Sequence, residues 1–216
     1  MTMPTQMNCS HQGSGWCLDC VEKLQQKISK QDELLARMKS NYKIFMVDPP
    51  WDQKKGGLRS TRPNQSMALD YKTMPIEDIE PLLRSIFSRG AEHHCVFMWT
   101  TEKFLIPTES MMERLGYKRH IRLIWDKKNG IAPAFTIRFS HEYCIWFYKT
   151  MLPKIASSSR GTFRSVFSEA ARQHSRKPDC LYSMIEALYP DTKKIDVFSR
   201  ERRIGWDQFG DQPKHF

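Results

Sequence analysis

A nearly continuous apolar run, Tyr42–Val47, ends on Asp48-Pro49-Pro50-Trp51, and no other feature constrains the fold so tightly. Such a run reads as a parallel strand covered on both faces by helices. A carboxylate and two prolines placed directly after it mark a loop at the strand's C-terminal end, where open α/β sheets carry their working groups. The rest of the chain keeps that rhythm. Thr73 and Pro75 with acidic Glu77, Asp78 and Glu80 start a helix that runs to about Ser88. Strands are expected at Cys95–Trp99, Arg119–Trp125, His141–Tyr148 and Lys193–Phe198. Helices are expected at Phe104–Leu115, stopped by Gly116, and from Pro178 to about Tyr189. Strands alternating with helices predict an α/β sheet with crossover helices.

The 216 residues suffice for one core and a small appendage. Lys and Arg total 34 against 24 Asp and Glu, a net charge of +10 that favours an anionic partner. No stretch approaches the roughly 20 apolar residues of a membrane helix. The polar start, Met1–Ser10, lacks the apolar run of a secretory signal, so a cytoplasmic chain that crosses no membrane is expected. Cys95, Cys144 and Cys180 sit in apolar runs and read as small buried hydrophobes of a reducing compartment.

Residues 1–20 differ from all that follows. Cys9, His11, Cys17 and Cys20 form a C-x-H-x5-C-x2-C pattern, four ligands suited to one structural zinc, with three metal-free cysteines and a bystander histidine as the other reading. Residues 21–40 form an amphipathic helix and linker. Val21, Leu24, Ile28, Leu35 and Met38, with Gln31 in the remaining slot, trace a heptad seam. Fewer than three heptads leave docking of this helix and self-pairing as competing outcomes.

The Asp48-Pro49-Pro50-Trp51 loop has a definite chemical capability. Adenine's exocyclic amino nitrogen is a poor nucleophile, because its lone pair is delocalised into the ring. A carboxylate and a backbone carbonyl that accept its two N–H bonds would aim that lone pair at an incoming methyl group. Asp48 and the Pro49 carbonyl can be those acceptors, the prolines remove backbone freedom, and Trp51 offers a flat face to an extruded base. A Pro-stiffened turn with a core tryptophan is the alternative.

Several separated motifs over residues 42–212 resemble the MT-A family of adenine methyltransferases, related to the catalytic subunit of the eukaryotic messenger-RNA methylase. Asp48-Pro49-Pro50-Trp51 matches the family's catalytic motif, and Leu69-Asp70-Tyr71 with Thr73-Met74 resembles the segment that brings a tyrosine to the substrate. Val96-Phe97-Met98-Trp99 and Ile124-Trp125-Asp126-Lys127 resemble the second and third strands. Ser140-His141-Glu142-Tyr143 resembles the strand that bears a glutamate near the acceptor base, and Arg176-Lys177-Pro178 the start of a helix whose lysine is close to donor and target. Lys193 to Arg200 resembles the cofactor strand and turn, and Gly205-Trp206-Asp207 with Gly210-Asp211-Gln212 the closing segment. Ser199 stands where the family usually has glycine or another small residue, and Asp211 where many relatives have asparagine; an ionised Asp211 cannot donate a hydrogen bond.

The resemblance implies a Rossmann-like methyltransferase sheet with flanking helices over residues 41–216, its motif order circularly permuted. It implies methyl transfer from S-adenosylmethionine to N(6) of adenine in nucleic acid, in DNA rather than RNA because the chain is compact like the bacterial and phage members. Asp48, Pro49, Pro50 and Trp51 would be catalytic, and Tyr71, Glu142 and Lys177 would meet the substrate. Asp48, Lys177, Phe198, Ser199, Arg200, Asp211 and Gln212 would meet the cofactor. A homodimer or a related methyltransferase subunit is the expected protein partner. A non-catalytic nucleic-acid-binding subunit and an RNA adenine methyltransferase are the alternatives. Lys54, Lys55, Arg59, Arg62, Arg119, Arg122, Lys127, Lys128, Arg138, Lys154, Arg160, Arg164, Arg172 and Arg176 flank the expected site in sequence and suit phosphate contact.

Overall fold

The computed structural model describes residues 18–52, 71–129, 137–173, 175–210, 212 and 215–216. The chain divides into two compact units, Met1–Met38 and Lys39–Phe216. In the first, helix α1 spans Leu18–Arg37 and so begins three residues before the apolar seam, with Cys20 on its first turn. Cys9, His11 and Cys17 lie outside the described residues, and so does the side chain of Cys20. Among the described residues no group of three or more potential ligands could hold a metal.

The second unit is built on a seven-stranded sheet. Its strands are β1 (Tyr42–Val47), β2 (Gly90–Thr100), β3 (Lys118–Asp126), β4 (His141–Lys149), β5 (Val166–Ser168), β6 (Lys194–Val197) and β7 (Trp206–Phe209). They lie in the order β5-β3-β4-β2-β1-β6-β7. β4 runs antiparallel to both neighbours, and every other pairing is parallel. The C-terminal ends of β1, β2, β3 and β6 and the start of β4 therefore share one edge.

Among the described residues three helices flank this sheet: α2 (Ile76–Phe87), α3 (Leu105–Arg114) and α4 (Asp179–Leu188). Alternation along β1 decides what each face buries. Ile44 and Met46 pack with Phe97, Trp99 and Trp146 against Leu181, Tyr182 and Ile185 of α4. Phe45 points the other way, with its ring edge-on to Phe87 of α2 at 5.2 Å. A sheet covered on both faces accounts for strands that read as continuous apolar runs. Gly116 ends α3 as expected, in the left-handed conformation at φ 80° that glycine adopts without a Cβ clash.

The sequence reading missed β5 and β7. They have three and four residues, too few to show a period. It also gave Thr73 to the start of α2, but Pro75 is the residue that precedes the first turn, and no side chain caps it. The Thr73 hydroxyl lies 3.5 Å from Asp52 instead. Cys95 and Cys144 are buried free thiols, and Cys180 is partly covered. No helix among the described residues is long and apolar enough to cross a membrane.

Candidate active site

Asp48 follows β1 at the shared sheet edge, and its N–H donates to the Val197 carbonyl of β6 at 3.2 Å. Glu142 lies at the start of β4, opposite Trp125 of β3. Lys177 precedes α4. Its ammonium lies 3.1 Å from Asp48 Oδ1 and 3.2 Å from Glu142 Oε2, and over the Trp99 ring at 5.3 Å. Lys127, just past β3, pairs with the other oxygen of Glu142. Two carboxylates and two ammonium groups thus form one charge-neutral cluster in which Lys177 is 13% exposed and Asp48 26%.

Burial sets the protonation of this cluster, and charge corrects it. Burial pushes the Asp48 carboxyl above the usual aspartate range; Lys177 opposes that shift and the like charge of Glu142 adds to it. Glu142 is also buried, but Lys177 and Lys127 outweigh the burial and hold its carboxyl below the usual range. Burial would lower the Lys177 ammonium, but its two carboxylate neighbours raise it above an ordinary lysine. The lysine stays charged while Asp48 is the group nearest to accepting a proton.

The loop after Asp48 is held rigidly. The Trp51 N–H donates to the Pro49 carbonyl at 2.8 Å, and the Met74 N–H to the Pro50 carbonyl at 2.7 Å. Pro49 keeps one lone pair for a further donor. Trp51 departs from its expected role as a base platform. It is 4% exposed, one face stacks on Phe104 at 5.1 Å, and its indole N–H donates to the Trp99 carbonyl at 3.2 Å. A ring so covered braces the turn.

The start of α4 is clamped from outside the helix. Both Glu169 oxygens accept helix N–H bonds, from Asp179 at 3.0 Å and Cys180 at 2.9 Å. They do the work of the cap that Pro178 cannot provide. Arg172 donates to the Lys177 carbonyl at 2.9 Å and to Asp179, which Arg203 meets on its other oxygen at 2.7 Å. Arg176 pairs with Glu201.

The rest of the expected site lies along the same edge. Tyr71 has its hydroxyl 3.3 Å from Ser175 Oγ and its ring under the Arg200 guanidinium at 5.0 Å. Arg200 donates to Gln212 Oε1 at 3.0 Å. Phe198 is left-handed at φ 63°, a conformation uncommon for an aromatic residue, and turns the chain out of β6. Buried Ser199 donates to the Glu201 carbonyl at 2.7 Å. Asp211 lies outside the described residues.

Of the cations expected to contact phosphate, Lys54, Lys55, Arg59 and Arg62 also lie outside the described residues. Arg119 and Arg122 pair with Glu109, Arg172 with Glu169 and Asp179, Arg176 with Glu201, and Lys127 with Glu142. These five are paired with carboxylates. Sequence reading left Lys127, Glu169 and Arg203 out of the site. Only Lys127 carried a signal, the Trp125-Asp126-Lys127 run at a strand end.

The sequence model of the MT-A70 family matches residues 42–212. The type II methyltransferase M.MunI of Mycoplasma sp is 25% identical over 201 residues, 85% of this chain and 83% of that protein. An Arabidopsis thaliana N(6)-adenosine-methyltransferase MT-A70-like protein is 28% identical over 179 residues, 78% of this chain and 23% of its own length. The human N(6)-adenosine-methyltransferase catalytic subunit METTL3 is 27% identical over 180 residues, 79% of this chain and 28% of its own length. The chain spans about a quarter of these plant and animal relatives. With its sequence model matched from β1 to the residues just past β7, the chain belongs to the MT-A70 methyltransferase family.

Proposed function

We propose that this chain transfers a methyl group from S-adenosylmethionine to the N(6) amino group of adenine in nucleic acid, with DNA favoured over RNA. The observation that carries the reading is Asp48 at the end of a central strand, partly buried, 3.1 Å from the Lys177 ammonium, and beside a proline carbonyl with a lone pair to spare. The similarity to the type II methyltransferase M.MunI along 85% of this chain and 83% of that protein supports DNA.

The donor set fits the cofactor. A sulfonium cation is favoured near Asp48, and a carboxylate near the Arg200 guanidinium, which is steered by Gln212. When bound, S-adenosylmethionine supplies an electrophilic methyl group. Asp48 and the Pro49 carbonyl accept the two amino N–H bonds of the target adenine, which leaves the nitrogen lone pair directed outward. As charge develops on that nitrogen, the Asp48 carboxylate stabilises it. Lys177 fixes Asp48 and Glu142 at one separation, and Tyr71 and Arg200 form the rim over which the base arrives. A methylated ammonium is strongly acidic, so proton loss needs no dedicated base. With the catalytic loop after β1 and the cofactor strand at β6, this reading implies a circularly permuted motif order.

The test is transfer of labelled methyl to sequence-matched DNA and RNA oligonucleotides, with the product nucleoside identified by mass spectrometry. N(6)-methyldeoxyadenosine is the expected product. N(6)-methyladenosine in RNA alone would reverse the polymer assignment, and no methylated nucleoside with cofactor bound would favour a non-catalytic subunit.

A further inference from the structure

A second concavity, a cleft of about 440 Å³, lies between β3, β4, α4 and the segment 152–165. That volume is in the range of small-ligand sites. Its lining includes His120, Trp146, Lys154, Arg160, Phe163 and Arg164, and every titratable side chain of the lining is basic. Lys154, Arg160 and Arg164 are exposed and have no carboxylate partner among the described residues, whereas Arg122, Arg172 and Arg176 are paired with carboxylates. The walls are apolar and aromatic. His120 stands edge-on to Trp146 at 4.7 Å, and Phe163 is 43% exposed.

The cationic side of the cleft is built into the fold. The Ala156 N–H donates to the Leu188 carbonyl at 2.9 Å, and Ser159 Oγ to the Ala187 carbonyl at 2.8 Å, so the segment is tied to the end of α4. Thr162 Oγ1 donates to the Ser159 carbonyl at 3.0 Å, and Gly161 makes the turn at φ 70°. At its far end the Ser165 carbonyl accepts the Ile124 N–H of β3 at 2.8 Å. Arg160 and Arg164 are thereby presented at fixed places on the rim.

Trp146 is four residues along β4 from Glu142, so the cleft starts about 13 Å from the active site on the α4 face of the sheet. Aromatic walls with an unpaired cationic rim suit a unit that is flat and apolar at one end and anionic at the other. We propose that this cleft holds a nucleotide of the substrate strand outside the target adenine, its unpaired base against Phe163 and His120 and its phosphate on Arg160, Arg164 and Lys154. The inference rests on the nucleic-acid reading above. A paired base would leave the aromatic walls without a partner, so the segment held here is single-stranded.

The experiment measures binding of fluorescein-labelled 20-nucleotide single strands, DNA and RNA, to the full chain and to the Arg160→Gln/Arg164→Gln and Phe163→Ala variants at several salt concentrations. The double variant is expected to bind at least tenfold more weakly, with the salt slope reduced by about 1.4 for two lost phosphate contacts. Phe163→Ala is expected to weaken binding of the single strand about tenfold while leaving the salt slope unchanged. Wild-type binding with both variants unaffected would overturn the cleft assignment and leave the proposed reaction standing. Wild type that binds neither polymer would overturn both. Loss of a free mononucleotide by the variants, with strand affinity intact, would assign the cleft to a small ligand and overturn the proposal.

Discussion

Lys177 lies between two carboxylates whose ionisation it controls, and this makes the site's pH response a residue-scale property. Lys177→Met removes the main charge opposing the burial of Asp48, so that carboxyl rises further and the acidic limb of the rate profile moves to higher pH. The same change should lower kcat by about 100-fold or more, because two carboxylates lose their common anchor. Lys127→Met leaves Glu142 with one cation instead of two, so the Glu142 carboxyl should rise, which a carboxyl NMR titration of the variant beside wild type checks. Asp196 gives a separate test through stability. It is buried, accepts a bond from the Tyr182 hydroxyl at 2.9 Å, and has its carboxyl pushed by burial from 3.8 to about 7. The folded protein therefore keeps a proton that the unfolded chain releases. Stability from this group is complete below about pH 4 and is lost as pH rises through about 7. Asp196→Asn keeps an acceptor for Tyr182 and should flatten the urea-denaturation midpoint across that window, with the gain over wild type largest above pH 7.

At the scale of elements, α4 shows how a remote carboxylate positions a helix that starts with proline. Glu169→Ala removes the acceptor for two helix N–H groups and an anion at the positive end of the helix, a loss of about 1–2 kcal/mol. Since Lys177 precedes that turn, kcat should fall more than KM rises, which steady-state kinetics beside a denaturation curve would show. β1 and α4 were legible in the sequence because an apolar run closed by Asp48-Pro49 and a helix opened by Lys177-Pro178 are local patterns. β5 and β7 were not, because strands as short as Val166–Ser168 and Trp206–Phe209 exist through their neighbours' hydrogen bonds rather than through their own pattern. The same reason hid Glu169, which is ten and eleven residues from the two N–H groups that it caps, and Arg203, which is 24 residues from Asp179. The burial of Trp51 was illegible because it depends on Phe104, more than 50 residues later. No local rule distinguishes a braced tryptophan from a displayed one.

On the whole-molecule scale, the proposed site is assembled from β1, β4, β6 and the start of α4, all within Lys39–Phe216. A chain of residues 39–216 should therefore fold and retain methyl transfer, checked by thermal unfolding beside the labelled-methyl assay; loss of transfer with the fold intact would assign the first 38 residues a part in the reaction. The net charge of +10 favours a polyanionic substrate for the whole surface, although Arg119, Arg122, Arg172 and Arg176 are already paired with carboxylates. In the proposed reaction Asp48 orients and stabilises the adenine amino group. Single-turnover methyl transfer by Asp48→Asn, on the oligonucleotide that wild type methylates best, isolates that role. The expected rate is at least about 1,000-fold below wild type with the fold and oligonucleotide affinity retained, because asparagine offers neither the charge nor the second acceptor oxygen. Transfer within tenfold of wild type would contradict it and move the chemistry away from this residue.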